Sequence, residues 1–386
     1  MYSKRVSNLS SSITIAISTL ARELKAQGRD ILSFSAGEPD FDTPQVIKDA
    51  AIKALQEGFT KYTAVAGIPE LLDAIREKLQ RENNLSYSND EIIVNNGAKH
   101  SLFNVFQALI DEGDEVIIPS PYWVTYPELV TYSGGKNVFI HTKEENKFKI
   151  TKEELKDAIT PKTKILVLTT PSNPTGMVYS KEELLELAEV LKGTNIWVVS
   201  DEIYEKLVYD GEFTSSASVS SDMLERTITI NGLSKAVAMT GWRIGYLATK
   251  DKKLRSFINN LQSQSISNIN SITQKASILG LNGSADSDIE KMRIAFKQRR
   301  DIAAKKFNAI SGLNVIVPDG AFYLFVNCSK IEQDSMKFCK ELLEKEGVAV
   351  VPGIGFGMEG YLRFSFATDL ASIEKGIERI ANFCSH

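Results

Sequence analysis

A chain of 386 residues is long for one ordinary hydrophobic core and calls for a large domain joined to a smaller one. Its 43% hydrophobic and 24% charged residues suit a soluble globular protein, and a formal net charge of -4 excludes the basic surface that a nucleic-acid binder needs. Cys328, Cys339 and Cys384 are odd in number and lack C-x-x-C spacing, the N-terminus has no apolar secretory core, and no apolar run reaches spanning length, so a cytoplasmic protein with no disulfide framework, zinc site or membrane partner is expected.

In chain order, Ile13, Ile17, Leu20 and Leu24 recur at helical spacing, with Ser10, Ser11 and Ser12 as candidate caps and Gly28 as a stop. They predict an amphipathic N-terminal helix. The segment 35–44 holds Gly37, Pro39 and Pro44, which forbid a continued helix and mark a loop of the kind where binding groups sit. Helical patterns at 46–57 and 69–82 flank a loop carrying Lys61 and Tyr62. From residue 91 the period changes. Short apolar runs at 91–95, 115–118, 137–140, 164–168, 196–199, 227–230 and 244–248 are mostly separated by helical patterns, which predicts an α/β fold with a mainly parallel seven-stranded sheet. The last two runs have no helix between them, so one edge is expected to be antiparallel. Helices fill 251–306 with a break at 284–288. Strands at 315–317, 322–326, 348–351 and 362–366 then mix with two helices as a smaller α+β domain. The expected division is an N-terminal arm at 1–45 that belongs with the small domain, a large cofactor-binding domain at 46–285, and the small domain at 286–386.

Ligands of open α/β sheets gather at the carboxyl ends of the strands, and the residues placed there are informative. After the run at 227–230 comes Lys235, set among Ala236, Val237, Ala238 and Met239. Apolar surroundings disfavour its ammonium, and a neutral amine attacks a carbonyl to form a Schiff base. Arg243, a short loop away, keeps its charge and has the fork geometry for a phosphate or carboxylate. The turn Asn96-Gly97-Ala98-Lys99-His100 is small enough for backbone N–H groups and a helix N-terminus to approach a phosphate. Prolines at 119 and 121 deliver Trp123 to the sheet edge, either to stack on a flat ring or to pack under a loop. The segment 170–176, with two prolines and a glycine, fixes the direction of the Asn173 amide. Asp201 ends a very apolar strand, where it either caps a helix or meets a cation such as a pyridinium nitrogen, with Tyr204 in reach of the same ring. Arg363 lies in an alternating apolar strand, paired structurally or left for a ligand carboxylate. The G-x-G-x-x-G match at 355–360 precedes a strand and not a helix, so it is no dinucleotide fingerprint, and three histidines give little basis for a metal site.

Ser-Asn-Pro-Thr-Gly at 172–176, Ser-Asp-Glu-Ile-Tyr at 200–204, Ser234-Lys235 and Met-Thr-Gly-Trp-Arg-Ile-Gly-Tyr at 239–246, in this order, resemble class I/II aminotransferases of PLP fold type I. The likeness runs from the loop at 35–41 to Arg363 and is strongest to bacterial aspartate aminotransferases of the Iβ subgroup. It implies pyridoxal 5′-phosphate as cofactor, bound covalently by Lys235, with Asp201 on the pyridine nitrogen and Asn173 and Tyr204 on the ring oxygen. Gly97, Ala98, Ser234 and Arg243 would hold the phosphate, joined by Tyr62 from the other subunit of a homodimer with shared active sites. Trp123 would cover the ring, and Arg363 would take the substrate α-carboxylate beside Asn173, Trp123 and the Gly37 backbone. The Asn173–Pro174 bond is implied to be cis. The neighbour-subunit arginine of better-known aspartate enzymes has no counterpart, since 263–274 contains no arginine or lysine; Lys99 is the implied replacement for the distal carboxylate, or a further contact to the phosphate. The implied activity moves the amino group of aspartate to 2-oxoglutarate by a ping-pong Schiff-base route. Alternatives are a prephenate, aromatic or alanine aminotransferase, a PLP β-lyase, or a cofactor-free interaction protein.

Overall fold

The structure, a computed structural model, describes residues 2–11 and 13–385; Ser12, one of the candidate caps, lies outside them. The strands in chain order are β1 (Leu32–Ser33), β2 (Ile92–Asn95), β3 (Glu115–Ser120), β4 (Lys136–His141), β5 (Thr163–Thr169), β6 (Trp197–Asp201), β7 (Thr227–Gly232) and β8 (Gly245–Ala248), followed by β9 (Asn314–Val315), β10 (Tyr323–Asn327), β11 (Val348–Ala349), β12 (Val351–Pro352) and β13 (Tyr361–Ser365). A seven-stranded sheet runs β2-β8-β7-β6-β5-β3-β4, with β8 antiparallel to both its neighbours and every other pair parallel. The fold is therefore the expected α/β one.

One detail corrects the sequence reading. The antiparallel strand is β8, and it lies inside the sheet, one place in from β2, and not at an edge. The connection 233–244 holds only a short turn at Thr240–Trp242 and no crossover helix, so β8 must return beside β7 in the opposite sense. Strand β2 then adds to its far side, parallel to the rest, which brings Asn95, Thr169, Asp201 and Gly232 to one edge.

Both faces of the sheet are covered, as a parallel sheet requires. Val116, Ile118, Val167, Val199 and Ile228 pack on one face with Val105 and Phe106 of the helix Ala98–Leu109. Ile117, Leu166, Leu168 and Val198 pack on the other with Leu184, Leu187 and Leu191 of the helix Lys181–Leu191. That helix begins where Ser180 and Glu183 satisfy each other's backbone N–H groups.

The C-terminal strands form an antiparallel sheet, β12-β13-β10-β9, and β1 pairs parallel with β11. The predicted run at 348–351 is divided between these two sheets. The N-terminal helix spans Ile13–Ala26 and packs through Ile17, Ala21 and Leu24 on Ile31, Leu343 and Ala349. Leu20, expected on that face, is 45% exposed, because the 17-21-24 stripe leaves it on the flank. The helical region after 251 breaks twice: Lys252–Ser265, Ser271–Ser277 and Asp286–Phe307 are separate helices. Among the described residues no helix is long and apolar enough to cross a membrane.

Candidate active site

A cavity of about 1000 Å³ opens at the carboxyl edge of the parallel strands, between the large sheet, the loop after β1 and strand β13. Every residue singled out from the sequence lines it except Gly97 and Tyr62.

Asp201, the last residue of β6, is 3% exposed. Its carboxylate accepts a hydrogen bond from the Tyr126 hydroxyl at 2.7 Å and one from the Ile203 backbone N–H at 3.3 Å. Burial outweighs these bonds and the nearby charge of Lys235, pushing the carboxyl up to about 6. No described lysine, arginine or histidine pairs with it, so a cation held against this carboxylate would restore it to its charged form.

Lys235 follows β7 and donates from Nζ to the Gly37 carbonyl. Its ammonium also lies 5.9 Å from the Tyr204 ring centre and 5.8 Å from that of Phe322. Loss of solvent lowers the amine to about 8; Arg363 and Arg243 add to the fall, and Glu38 and Asp201 oppose it. The expected neutral-amine chemistry is accessible near physiological pH.

Arg363 is 2% exposed. Nη1 donates to Asn173 Oδ1 at 2.9 Å and Nη2 to the Ser35 carbonyl at 2.8 Å, while Nε has no partner. The guanidinium rests 4.3 Å from the Tyr323 ring centre and 5.0 Å from that of Phe356. No carboxylate of the described residues reaches it. A buried guanidinium held only by neutral acceptors and rings is suited to an anion from outside the chain. The Asn173–Pro174 bond beside it is cis.

Gly97 precedes the helix Ala98–Leu109 with φ +85°, and a Cβ there would collide with the Arg243 guanidinium. The missing side chain lets Arg243 lie across the helix N-terminus, where its Nη1 donates to the Thr240 carbonyl at 2.9 Å. Ala98 and Ser234 line the cavity beside it. Backbone N–H groups, a helix N-terminus and a guanidinium thus converge as a phosphate cradle does. Lys99, one residue further, is exposed overall, yet its ammonium sits 4.8 Å from the Trp123 ring centre and is lowered by desolvation and by Arg243. Trp123 meets the Tyr126 ring edge-on at 5.4 Å. Tyr204 is buried, which raises its hydroxyl well above the ordinary value, and that hydroxyl lies 2.8 Å from the Tyr323 hydroxyl. Tyr62 is 90% exposed and stands outside the cavity.

Three participants were missed from the sequence: Tyr126, Tyr323 and the Ser35 carbonyl. Tyr126 had a faint signal, three residues after Trp123 at a helix start, whereas Tyr323 sits in the aromatic run 322–325 and reads as core. The site as found fits a phosphorylated pyridine aldehyde: a buried unpaired carboxylate for the ring nitrogen, a depressed amine for the aldehyde and a glycine-floored cradle for the phosphate.

Comparison with known proteins agrees. The sequence profile of the family described as aminotransferase class I and II matches residues 29–380. The chain is 49% identical to the aspartate aminotransferase of Bacillus subtilis, over 98% of each chain, and 46% identical to the aspartate/prephenate aminotransferase of Nitrosomonas europaea, over 99% of each. Among solved structures it resembles the aspartate aminotransferase of Rhizobium meliloti, with TM-score 0.96 and 43% identity over 100% of this chain and 99% of that one. It also resembles the aspartate aminotransferase of Thermus thermophilus with maleate, with TM-score 0.95 and 45% identity over 99% of each.

Proposed function

Because the chain belongs to the class I and II aminotransferases, we propose that its cavity transfers the amino group of aspartate to 2-oxoglutarate in two successive half-reactions, the first oxo acid leaving before the second enters. The chain is an aminotransferase that uses pyridoxal 5′-phosphate. When bound, that cofactor supplies an aldehyde carbon and a protonated pyridine ring that withdraws electrons from the substrate α-carbon.

In this reading Asp201 keeps the ring nitrogen protonated, Asn173 and Tyr204 hold the ring oxygen, and Trp123 covers the ring face. Gly97, Ala98, Ser234 and Arg243 hold the phosphate. Lys235 Nζ would hold the aldehyde and, as a neutral amine facing the substrate, would be the base that takes the proton from the substrate Cα. Arg363 takes the α-carboxylate, with Asn173, Trp123 and Gly37 around it, and thereby orients the Cα–H bond towards Lys235. The presence of two buried, oppositely charged groups that form no salt bridge among the described residues, Asp201 and Arg363, in one cavity with Lys235 carries the proposal.

Preference for a dicarboxylate rests on Lys99, whose ammonium faces the cavity with no carboxylate partner among the described residues, and the Thermus relative was solved with maleate, a compact dicarboxylate. A homodimer with shared sites is supported by Tyr62, which is 90% exposed, and by the exposed apolar side chains of Ile52 and Leu55. We place the enzyme in the cytoplasm and divide it after residues 45 and 285, which leaves the seven-stranded sheet within the large domain. Half-reaction spectra with aspartate, glutamate, aromatic amino acids and prephenate plus an amino donor test the substrate. Fastest conversion by aspartate is expected; faster conversion by an aromatic amino acid would overturn the assignment.

A further inference from the structure

Tyr323 begins β10, and its neighbour in the sheet is β13, which carries Arg363 two residues before Ser365, the register partner of Tyr323. It is 1% exposed, yet it lines the cavity. Three contacts set it apart from a core aromatic. Its ring lies 4.3 Å under the Arg363 guanidinium. Its hydroxyl stands 2.8 Å from the hydroxyl of Tyr204, which follows β6 of the large sheet. The same hydroxyl would be 3.0 Å from a Cβ at Gly37, whose carbonyl accepts from Lys235, so a side chain at 37 would crowd it.

We propose that Tyr323 is a positioning residue that links the two ends of the site: its hydroxyl sets the direction of the Tyr204 proton, and its ring fixes the fork of Arg363. This rests on the aminotransferase reading given above. Each phenol has one proton, and burial keeps both protonated. A Tyr204 that donates to an anionic ring oxygen has no proton left for Tyr323, so Tyr323 must donate to Tyr204. The resulting chain of two bonds in one direction is stronger than the Tyr204 bond alone, because each bond polarises the next. The ionisable groups facing this pair are Arg363, Asp201 and Lys235, the last in turn within the fields of Glu38 and Arg243.

Donation to the ring oxygen stabilises its anionic form, so weakening that bond raises the pH at which the bound chromophore changes protonation. The test is a pH titration of the visible absorption of the cofactor-loaded enzyme, with the aspartate KM measured on the same preparations. Tyr323→Phe keeps the ring and loses the hydroxyl: the midpoint should rise by roughly half a pH unit while the KM stays within about twofold. Tyr323→Leu loses both, giving the same upward shift and a KM raised about tenfold. An unchanged midpoint in Tyr323→Phe, or an unchanged KM in Tyr323→Leu, would overturn the role. A wild-type protein with no visible band would instead overturn the functional reading, and this inference with it.

Discussion

Lys235 and Asp201 are displaced in opposite directions by the same cause, loss of solvent. The Lys235 amine falls from 10.5 to about 8, so in the cofactor-free protein its reaction with a small aldehyde should rise through a midpoint near pH 8, followed as imine formation; a midpoint above 10 would mean that the amine is solvated. The Asp201 carboxyl rises from 3.8 to about 6, and the sign of its linkage follows. The folded protein holds this proton more tightly than the unfolded chain, so stability is lost as pH climbs from about 4 to about 6, and the cost is fully present at pH 7. Asp201→Asn in the cofactor-free protein should therefore gain about 3 kcal/mol at pH 7, and almost nothing below about pH 3, in denaturant unfolding, while transaminase activity falls by orders of magnitude. Loss of stability at pH 7 would show that Asp201 already has a cation.

At the scale of elements, the turn from β2 into the helix Ala98–Leu109 and the loop from β7 to β8 are built against each other. A Cβ at Gly245 would strike the backbone of Gly97 and Ala98, and one at Gly97 would strike Arg243. Gly97→Val adds a β-branched side chain where φ is +85°, so the dissociation constant for pyridoxal 5′-phosphate should rise at least about tenfold, measured by fluorescence titration; unchanged affinity would remove the phosphate from this turn. The same elements show what could be read without a structure. Asp201 stood out because an acid ending an apolar run is conspicuous, Asn173 because prolines and a glycine frame it and Lys235 because apolar residues follow it, and the runs of β5, β6 and β7 matched the observed strands closely. The place of β8 was hidden because strand order is set by which faces must be buried, and no local pattern records it. Tyr126 and Tyr323 were hidden because an aromatic in an apolar segment looks the same whether its hydroxyl meets a carboxylate or nothing. The split of 348–351 between two sheets likewise depends on partners distant in the chain.

For the whole molecule, the N-terminal segment is tied to the C-terminal strands by several bonds, among them Arg363 to the Ser35 carbonyl, the Ser365 N–H to the Phe34 carbonyl and the pairing of β1 with β11. Tyr62 belongs to a different surface, and its exposure makes a prediction about assembly. Mixing inactive Lys235→Ala chains with Tyr62→Ala chains should yield hybrid dimers in which one site holds both native residues and regains the wild-type cofactor affinity; hybrids no better than the Tyr62→Ala parent would place Tyr62 outside the site. The central claim concerns one nitrogen atom, and borohydride reduction of the cofactor-loaded enzyme followed by peptide mass spectrometry addresses it directly. The account predicts a phosphopyridoxyl group on Lys235 and on no other lysine, whereas a label on Lys99, or an unlabelled Lys235 in active enzyme, would contradict it.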